Sequence, residues 1–148
     1  MRRVLLVAIL VGMTVLAGYV FTIRLLGERS ANVGNIVVIE MTMRQWRFDV
    51  VSISPPGSAT FTANQTSGRF ADTTIKVHKG DTVVLRITNL DVAHGFGLVE
   101  FGVNVVTPPG QITEVKFIAS QAGVFTFFCT VFCGTGHPNH KGTLIVVG

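Results

Sequence analysis

The sequence predicts an all-β fold, an antiparallel sandwich or barrel, preceded by one N-terminal transmembrane helix. Three observations carry this reading. Twenty residues without a charge, Val4 to Ile23, open the chain. Beyond them come short runs rich in Val, Ile, Thr and Phe, each bounded by Gly, Asn, Asp or Pro, the punctuation of strands and turns. Outside the first run no helical period of useful length appears.

At about 1.5 Å per residue the first run, VLLVAILVGMTVLAGYVFTI, crosses a hydrocarbon core of roughly 30 Å. A cleaved leader has only about 7–15 apolar residues and ends at small ones. Here Gly27-Glu28-Arg29 makes a poor cleavage site, so residues 1–26 are expected to be an anchor. Residues 27–35 then form a polar connector and residues 36–148 a single folded domain. Within it, strands are expected at 35–43, 74–80, 81–89, 112–119, 123–129 and 142–148. Val83, Leu85 and Ile87 share one face of such a strand. Lys79-Gly80-Asp81 reads as a tight connection between two of them. Residues 52–72, rich in Pro, Gly, Ser and Asn, read as a surface loop with at most a short strand at Thr60-Phe61-Thr62.

The 48% hydrophobic and 14% charged content is lean for a soluble protein, and much of the excess lies in the anchor. The formal charge of +4 divides into +3 over the first 29 residues and +1 over the rest. The domain is thus nearly neutral and lacks the clustered Lys and Arg of a nucleic-acid face. Arg2 and Arg3 favour a cytoplasmic N-terminus, although Arg24 and Arg29 beyond the span weaken that signal.

Chemistry concentrates in two clusters, Asp91-Val92-Ala93-His94-Gly95-Phe96 and Cys129-Thr-Val-Phe-Cys133-Gly-Thr-Gly-His137-Pro-Asn-His140. Alone, the two cysteines suit a disulfide and a metal site equally. With imidazoles nearby, zinc or copper becomes the better reading. Structural zinc usually draws its other ligands from a second knuckle. Here the second cluster falls between the last two strands and His94 lies on an earlier turn, which places a metal at one end of a sandwich. One cysteine suffices for a mononuclear copper site; a second lets two sulfurs bridge two metals. No obvious nucleophile, general base or open ligand position appears, so the domain reads as a carrier and not a catalyst.

The segments DVAHGF, GVNVVTPPGQ and AGVFTFFCTVFCGTGHPNHKGTLIVV resemble subunit II of haem-copper oxidases. The likeness is to its cupredoxin-like, Greek-key domain with a dinuclear purple-copper (CuA) centre, covers roughly residues 74–148, and is weak over 44–72. It implies that Cys129 and Cys133 bridge two copper ions, that His94 and His137 are the terminal imidazoles, and that the Val131 carbonyl is a further ligand. The last position is usually an axial methionine; here it is His140, expected to coordinate and to lower the copper potential. The resemblance also implies a partner, the catalytic subunit I. It implies a donor, cytochrome c or a small cupredoxin, and a membrane site with the C-terminal domain on the periplasmic or extracellular side. A free-standing membrane-anchored copper carrier, or a mononuclear site with a spare cysteine, fits the residues as alternatives. His78 reads as a surface residue and Trp46 as core or interface. Of Phe96, Phe101, Phe117, Phe125, Phe127, Phe128 and Phe132, near the two clusters in sequence, most are expected in the ordinary core and those flanking the ligands to exclude water.

Overall fold

Alternation along the strands decides which side chains the two sheets enclose. The computed structural model describes residues 34–148 apart from 68 and 69. Its strands are β1 (Ile36–Arg44), β2 (Arg47–Ser54), β3 (Thr60–Ser67), β4 (Phe70–His78) and β5 (Thr82–Asn89). They continue with β6 (His94–Leu98), β7 (Val103–Thr107), β8 (Ile112–Ile118), β9 (Gly123–Phe128) and β10 (Lys141–Val147). One sheet has the order β2-β1-β5-β8 and the other β3-β4-β10-β9-β6-β7. The first turns Val37, Ile39, Met41, Met43, Val83, Leu85 and Ile87 inward. The second meets them with Ile75, Val77, Phe96, Leu98, Phe127, Leu144 and Val146. Each such side chain contributes about 1.5–3 kcal/mol on burial, and together they make the all-β sandwich.

Two expectations need correction. The sheets are mixed, not wholly antiparallel, because β1 runs parallel to β5 and β4 parallel to β10. Parallel neighbours need a crossover connection, and the chain supplies it by passing through the opposite sheet between them. The stretch 52–72 is also mostly strand: β2 continues to Ser54, and β3 pairs with β4 from Thr60 opposite Lys76. Its first residues, Thr60 to Ala63, are all exposed, so an edge strand held by backbone pairing leaves no hydrophobic alternation to read. The tight connection at Lys79-Gly80 joins β4 to β5 across the two sheets, with Gly80 at φ 94° and buried Asp81 accepting the backbone N–H groups of Asn35 and His78. The anchor and most of the connector lie outside the described residues, among which no helix is long and apolar enough to cross a membrane.

Strand β6 is buried on both faces. Its His94, Phe96 and Leu98 are buried hydrophobic-side positions, whereas Gly95 and Gly97 lie against Thr130 of the loop that follows β9. A Cβ on Gly95 would stand 2.1 Å from the Thr130 hydroxyl oxygen, and one on Gly97 would stand 2.6 Å from its methyl carbon. The two glycines therefore let the loop lie flat on the strand. Below it, Phe48 of β2 meets Phe96 and Phe127 edge-on at 5.8 and 5.1 Å between centroids. Replacing Phe48 by Ala should cost about 3–5 kcal/mol. Denaturant unfolding of the metal-free chain measures this, and a loss under about 1 kcal/mol, the scale of a surface change, would show that Phe48 is not a core element.

Candidate metal centre

The loop between β9 and β10 closes at its base where the Cys129 N–H donates to the His140 carbonyl at 2.9 Å. Within it, Gly134 at φ 109° opens a tight winding. The N–H groups of His137, Asn139 and His140 donate to the carbonyls of Gly134, Gly136 and His137 at 3.0–3.1 Å. Spacings of four, four and three residues then bring Cys129, Cys133, His137 and His140 to the same side. His94 reaches them from the first position of β6. Buried Asn89 sets the approach to it: its amide donates to the carbonyls of Val92 at 2.7 Å and Thr107 at 2.6 Å.

The two sulfurs lie 3.7 Å apart. His94 Nδ1 is 3.6 Å from the Cys129 sulfur, His137 Nδ1 is 3.5 Å from the Cys133 sulfur, and His140 Nδ1 is 3.7 Å from the Cys133 sulfur. The Val131 carbonyl oxygen is 3.1 Å from the Cys129 sulfur. Metal–sulfur and metal–nitrogen bonds of about 2.3 and 2.0 Å at tetrahedral angles put sulfur and nitrogen about 3.5 Å apart and two sulfurs about 3.8 Å apart. The observed sulfur–sulfur and sulfur–nitrogen separations match edges of such a tetrahedron, and soft thiolates with imidazoles suit copper or zinc. One set, His94, Cys129, Cys133 and His140, is buried throughout, with its four ligand atoms all within 4.8 Å of one another. Beside it, His137 Nδ1 lies against the Cys133 sulfur and the Val131 carbonyl oxygen against the Cys129 sulfur.

Outer contacts orient the inner groups. His94 Nε2 donates to the Asp91 carboxylate at 2.7 Å, which leaves Nδ1 free to ligate, the usual role of a partner on the far nitrogen. The other Asp91 oxygen accepts the Gln45 N–H at 2.7 Å. The Gln45 side-chain amide donates to the Cys133 carbonyl at 2.6 Å, and the Trp46 indole N–H donates to the same oxygen at 3.0 Å. The β1–β2 turn therefore clips both ligand segments together. Gly136 lies so close to the Trp46 ring that a Cβ there would stand 2.2 Å from it. His140 is held by ring contacts, 4.4 Å from Phe48 and 4.9 Å from His94 between centroids.

Burial opposes ionisation of both thiols, with opposite outcomes. For Cys129, hydrogen bonds from His140, His94 and the Gly95 backbone overcome it and pull the thiol down to about 4. For Cys133, burial is joined by its contact with the Cys129 sulfur and by the nearby Asp91 charge, which push the thiol up to about 12. Burial likewise disfavours charged His94, but its bonds to Cys129 and Asp91 outweigh burial and raise its pKa. Burial would raise Asp91, yet the Gln45 N–H and His94 hold it below the ordinary carboxylate value.

All six residues singled out in the sequence meet here, with His137 half-buried at the outer side. Both cysteines are free thiols. His78 is exposed, 3.9 Å from Asp81. Phe96 and Phe127 lie in the core, whereas Phe132 is 77% exposed, its ring tilted against His137 on the outside. Phe48 takes the shielding position over His140. Trp46, expected in core or interface, is half-buried against Phe70 and bonds the Cys133 loop. Neither Gln45 nor Trp46 carries a ligand-type motif, and only the approach of the β1–β2 turn to the loop reveals them.

A β-sandwich with two thiols and three imidazoles gathered at the end of its strands defines a cupredoxin-type metal domain. Residues 48–147 match the family described as cytochrome c oxidase subunit II, periplasmic domain, and the chain belongs to that family. It is 36% identical over 72 residues to cytochrome c oxidase subunit 2 of Thermus thermophilus, a match covering 49% of this chain and 53% of that one. It is also 39% identical over 75 residues to the nitrous-oxide reductase of Ralstonia nicotianae, covering 48% of this chain and 12% of the reductase. The chain thus spans about half the length of the curated subunit 2 relative. Among solved structures it resembles the periplasmic domain of subunit II of cytochrome oxidase of Bradyrhizobium japonicum, with a TM-score of 0.59 and 27% identity over 75% of this chain and 83% of that one.

The paired thiols set a measurable expectation for the reduced, metal-free chain. Cys129, depressed to about 4, should remain a thiolate throughout the neutral range, while Cys133, raised to about 12, stays protonated. The depressed group stabilises the fold above the ordinary thiol range, and that contribution is lost as pH falls through the folded value. Ultraviolet thiolate absorbance should therefore report one thiolate at neutral pH, abolished by Cys129→Ser and retained by Cys133→Ser. Absorbance that appears only above the ordinary thiol range would contradict it.

Proposed function

We propose that this domain carries electrons through a dinuclear copper centre, with Cys129 and Cys133 as the bridging thiolates. His94 and His140 complete one metal position; His137 and the Val131 carbonyl complete the other. What supports this reading is a pair of sulfurs 3.7 Å apart with candidate donors against each: His94 and the Val131 oxygen at Cys129, His137 and His140 at Cys133. Copper bound there supplies one-electron redox chemistry. The chain's own contribution is rigidity: Asp91 fixes the His94 ring, Gln45 and Trp46 fix the Cys133 carbonyl, and Phe48 keeps water from His140. A site held in one shape by its surroundings changes charge with little rearrangement, because second-shell contacts orient the ligands and tune the metal.

In this reading the chain is the subunit II through which electrons enter a membrane haem-copper oxidase. Residues 4–23 anchor it, the domain stands on the periplasmic or extracellular side, and catalytic subunit I receives the electrons. Cytochrome c or a small cupredoxin supplies them. The half-buried Trp46 reaches the ligand loop through one hydrogen bond to the Cys133 carbonyl, a short contact from the outside to the centre. The nearly neutral domain argues for docking with weak salt dependence.

Two measurements test the centre. The copper-loaded chain should hold two coppers and show, in electron paramagnetic resonance, one unpaired electron shared over both. One copper with a localised signal would rule the dinuclear reading out. Second, an imidazole favours oxidised copper more than a thioether does, so His140→Met should raise the reduction potential. A potential equal to or below that of the parent would remove His140 from the ligand set.

A further inference from the structure

We propose that the chain carries, nested within this two-metal cradle, a self-sufficient Cys2His2 site for a single zinc ion. Its ligands are His94, Cys129, Cys133 and His140. The inference rests on the metal-centre reading but requires neither copper nor a second ion.

Three observations support it. First, the four ligand atoms lie within 4.8 Å of one another and all four residues are buried, so a modest closure of the widest pair brings every donor onto one ion. Second, His137 stands apart: half-buried, it approaches the Cys133 sulfur at 3.5 Å and is not needed to complete a tetrahedron. Third, His140 supplies an imidazole, so this set has four thiolate or imidazole donors where a thioether would leave three. Zinc has no geometric preference from its d electrons and takes two thiolates and two imidazoles in a closed tetrahedron, the form of structural sites. The second position, with one imidazole and a carbonyl beside the shared sulfurs, is the poorer host for a lone ion.

The consequence is functional. Zinc has no second oxidation state in this chemistry, so a zinc-held domain is redox-silent and its two sulfurs are committed. Copper loading then requires that zinc be kept out or displaced, and the first ion to arrive is directed to the inner position.

The test uses the full-length chain in detergent, metal-free and reduced, titrated with zinc against a chromogenic chelator. One zinc per chain is expected. His140→Met should weaken binding by at least about tenfold, the loss that even an outer contact of a metal ligand commonly causes. His137→Ala should leave zinc affinity within about threefold, under 1 kcal/mol. Cobalt in place of zinc should give the intense visible bands of four-coordinate thiolate-bound cobalt, retained in His137→Ala and changed in His140→Met. Equal weakening by both variants overturns the proposal, as does binding of two zinc ions with no one-zinc state. Should a variant misfold, X-ray absorption of the zinc-loaded parent still decides: two sulfurs and two nitrogens support the site, and any other donor count overturns it. The copper experiment above is independent. One localised copper there with one zinc here removes the dinuclear reading alone, and a shared-electron signal without zinc binding removes this one alone.

Discussion

Two sulfurs 3.7 Å apart are the constraint around which this domain is arranged. As thiolates they repel each other by on the order of 4 kcal/mol at an effective dielectric near 20, and both are buried. Without a metal the pair keeps one proton: Cys129 ionises with help from two imidazoles and a backbone N–H, and Cys133 then resists. A positive ion between the sulfurs removes the conflict at once. The loop is thus built in a shape that is electrostatically incomplete alone, and metal affinity follows from that incompleteness.

Keeping such a loop in place requires both sheets. Cys129, Cys133, His137 and His140 belong to the β9–β10 connection of the larger sheet, and His94 begins β6 beside it. The clamp comes from the smaller sheet, through the β1–β2 turn. Gln45 holds the Cys133 carbonyl with its side chain and Asp91 with its backbone N–H, and Trp46 adds a second bond to Cys133. Since Asp91 in turn holds His94, one turn fixes the distance between the two ligand segments. The glycines at 95, 97 and 136 make this possible by letting Thr130 and Trp46 approach the backbone directly.

The candidate ligands were legible in the sequence because their chemistry is: Cys and His at spacings of four, four and three have few other uses. The inner strands were legible too, since Val37, Ile39, Val83 and Leu85 alternate plainly. Strand β3 was hidden because its exposed Thr and Phe residues pair through the backbone. Strand β6 was hidden because His-Gly-Phe-Gly-Leu is buried on both faces and needs glycines, which read as a turn. The parallel pairings of β1 with β5 and β4 with β10 join strands far apart in the chain, so no local pattern encodes them. Gln45, Trp46 and Phe48 act on the site from a distant segment, through contacts that only the tertiary fold creates.

His140 shows how surroundings temper a donor. The far nitrogen of His94 has Asp91; the far nitrogen of His140 is buried with no hydrogen-bond partner among the described residues. Once His140 ligates through Nδ1, its proton must sit on Nε2, where a buried unpaired N–H costs about 1–3 kcal/mol. In the metal-free loop the proton can sit instead on Nδ1 and be donated to sulfur, which is where the Cys129 stabilisation arises. Ring contacts with Phe48 and His94 orient the imidazole but offer its far nitrogen no acceptor. As a ligand, His140 would thus be a strong type of donor in a pocket that weakens it. Its pull on a bound metal should fall between that of a thioether and that of a carboxylate-supported histidine such as His94, and an acceptor introduced beside Nε2 would move it toward the latter.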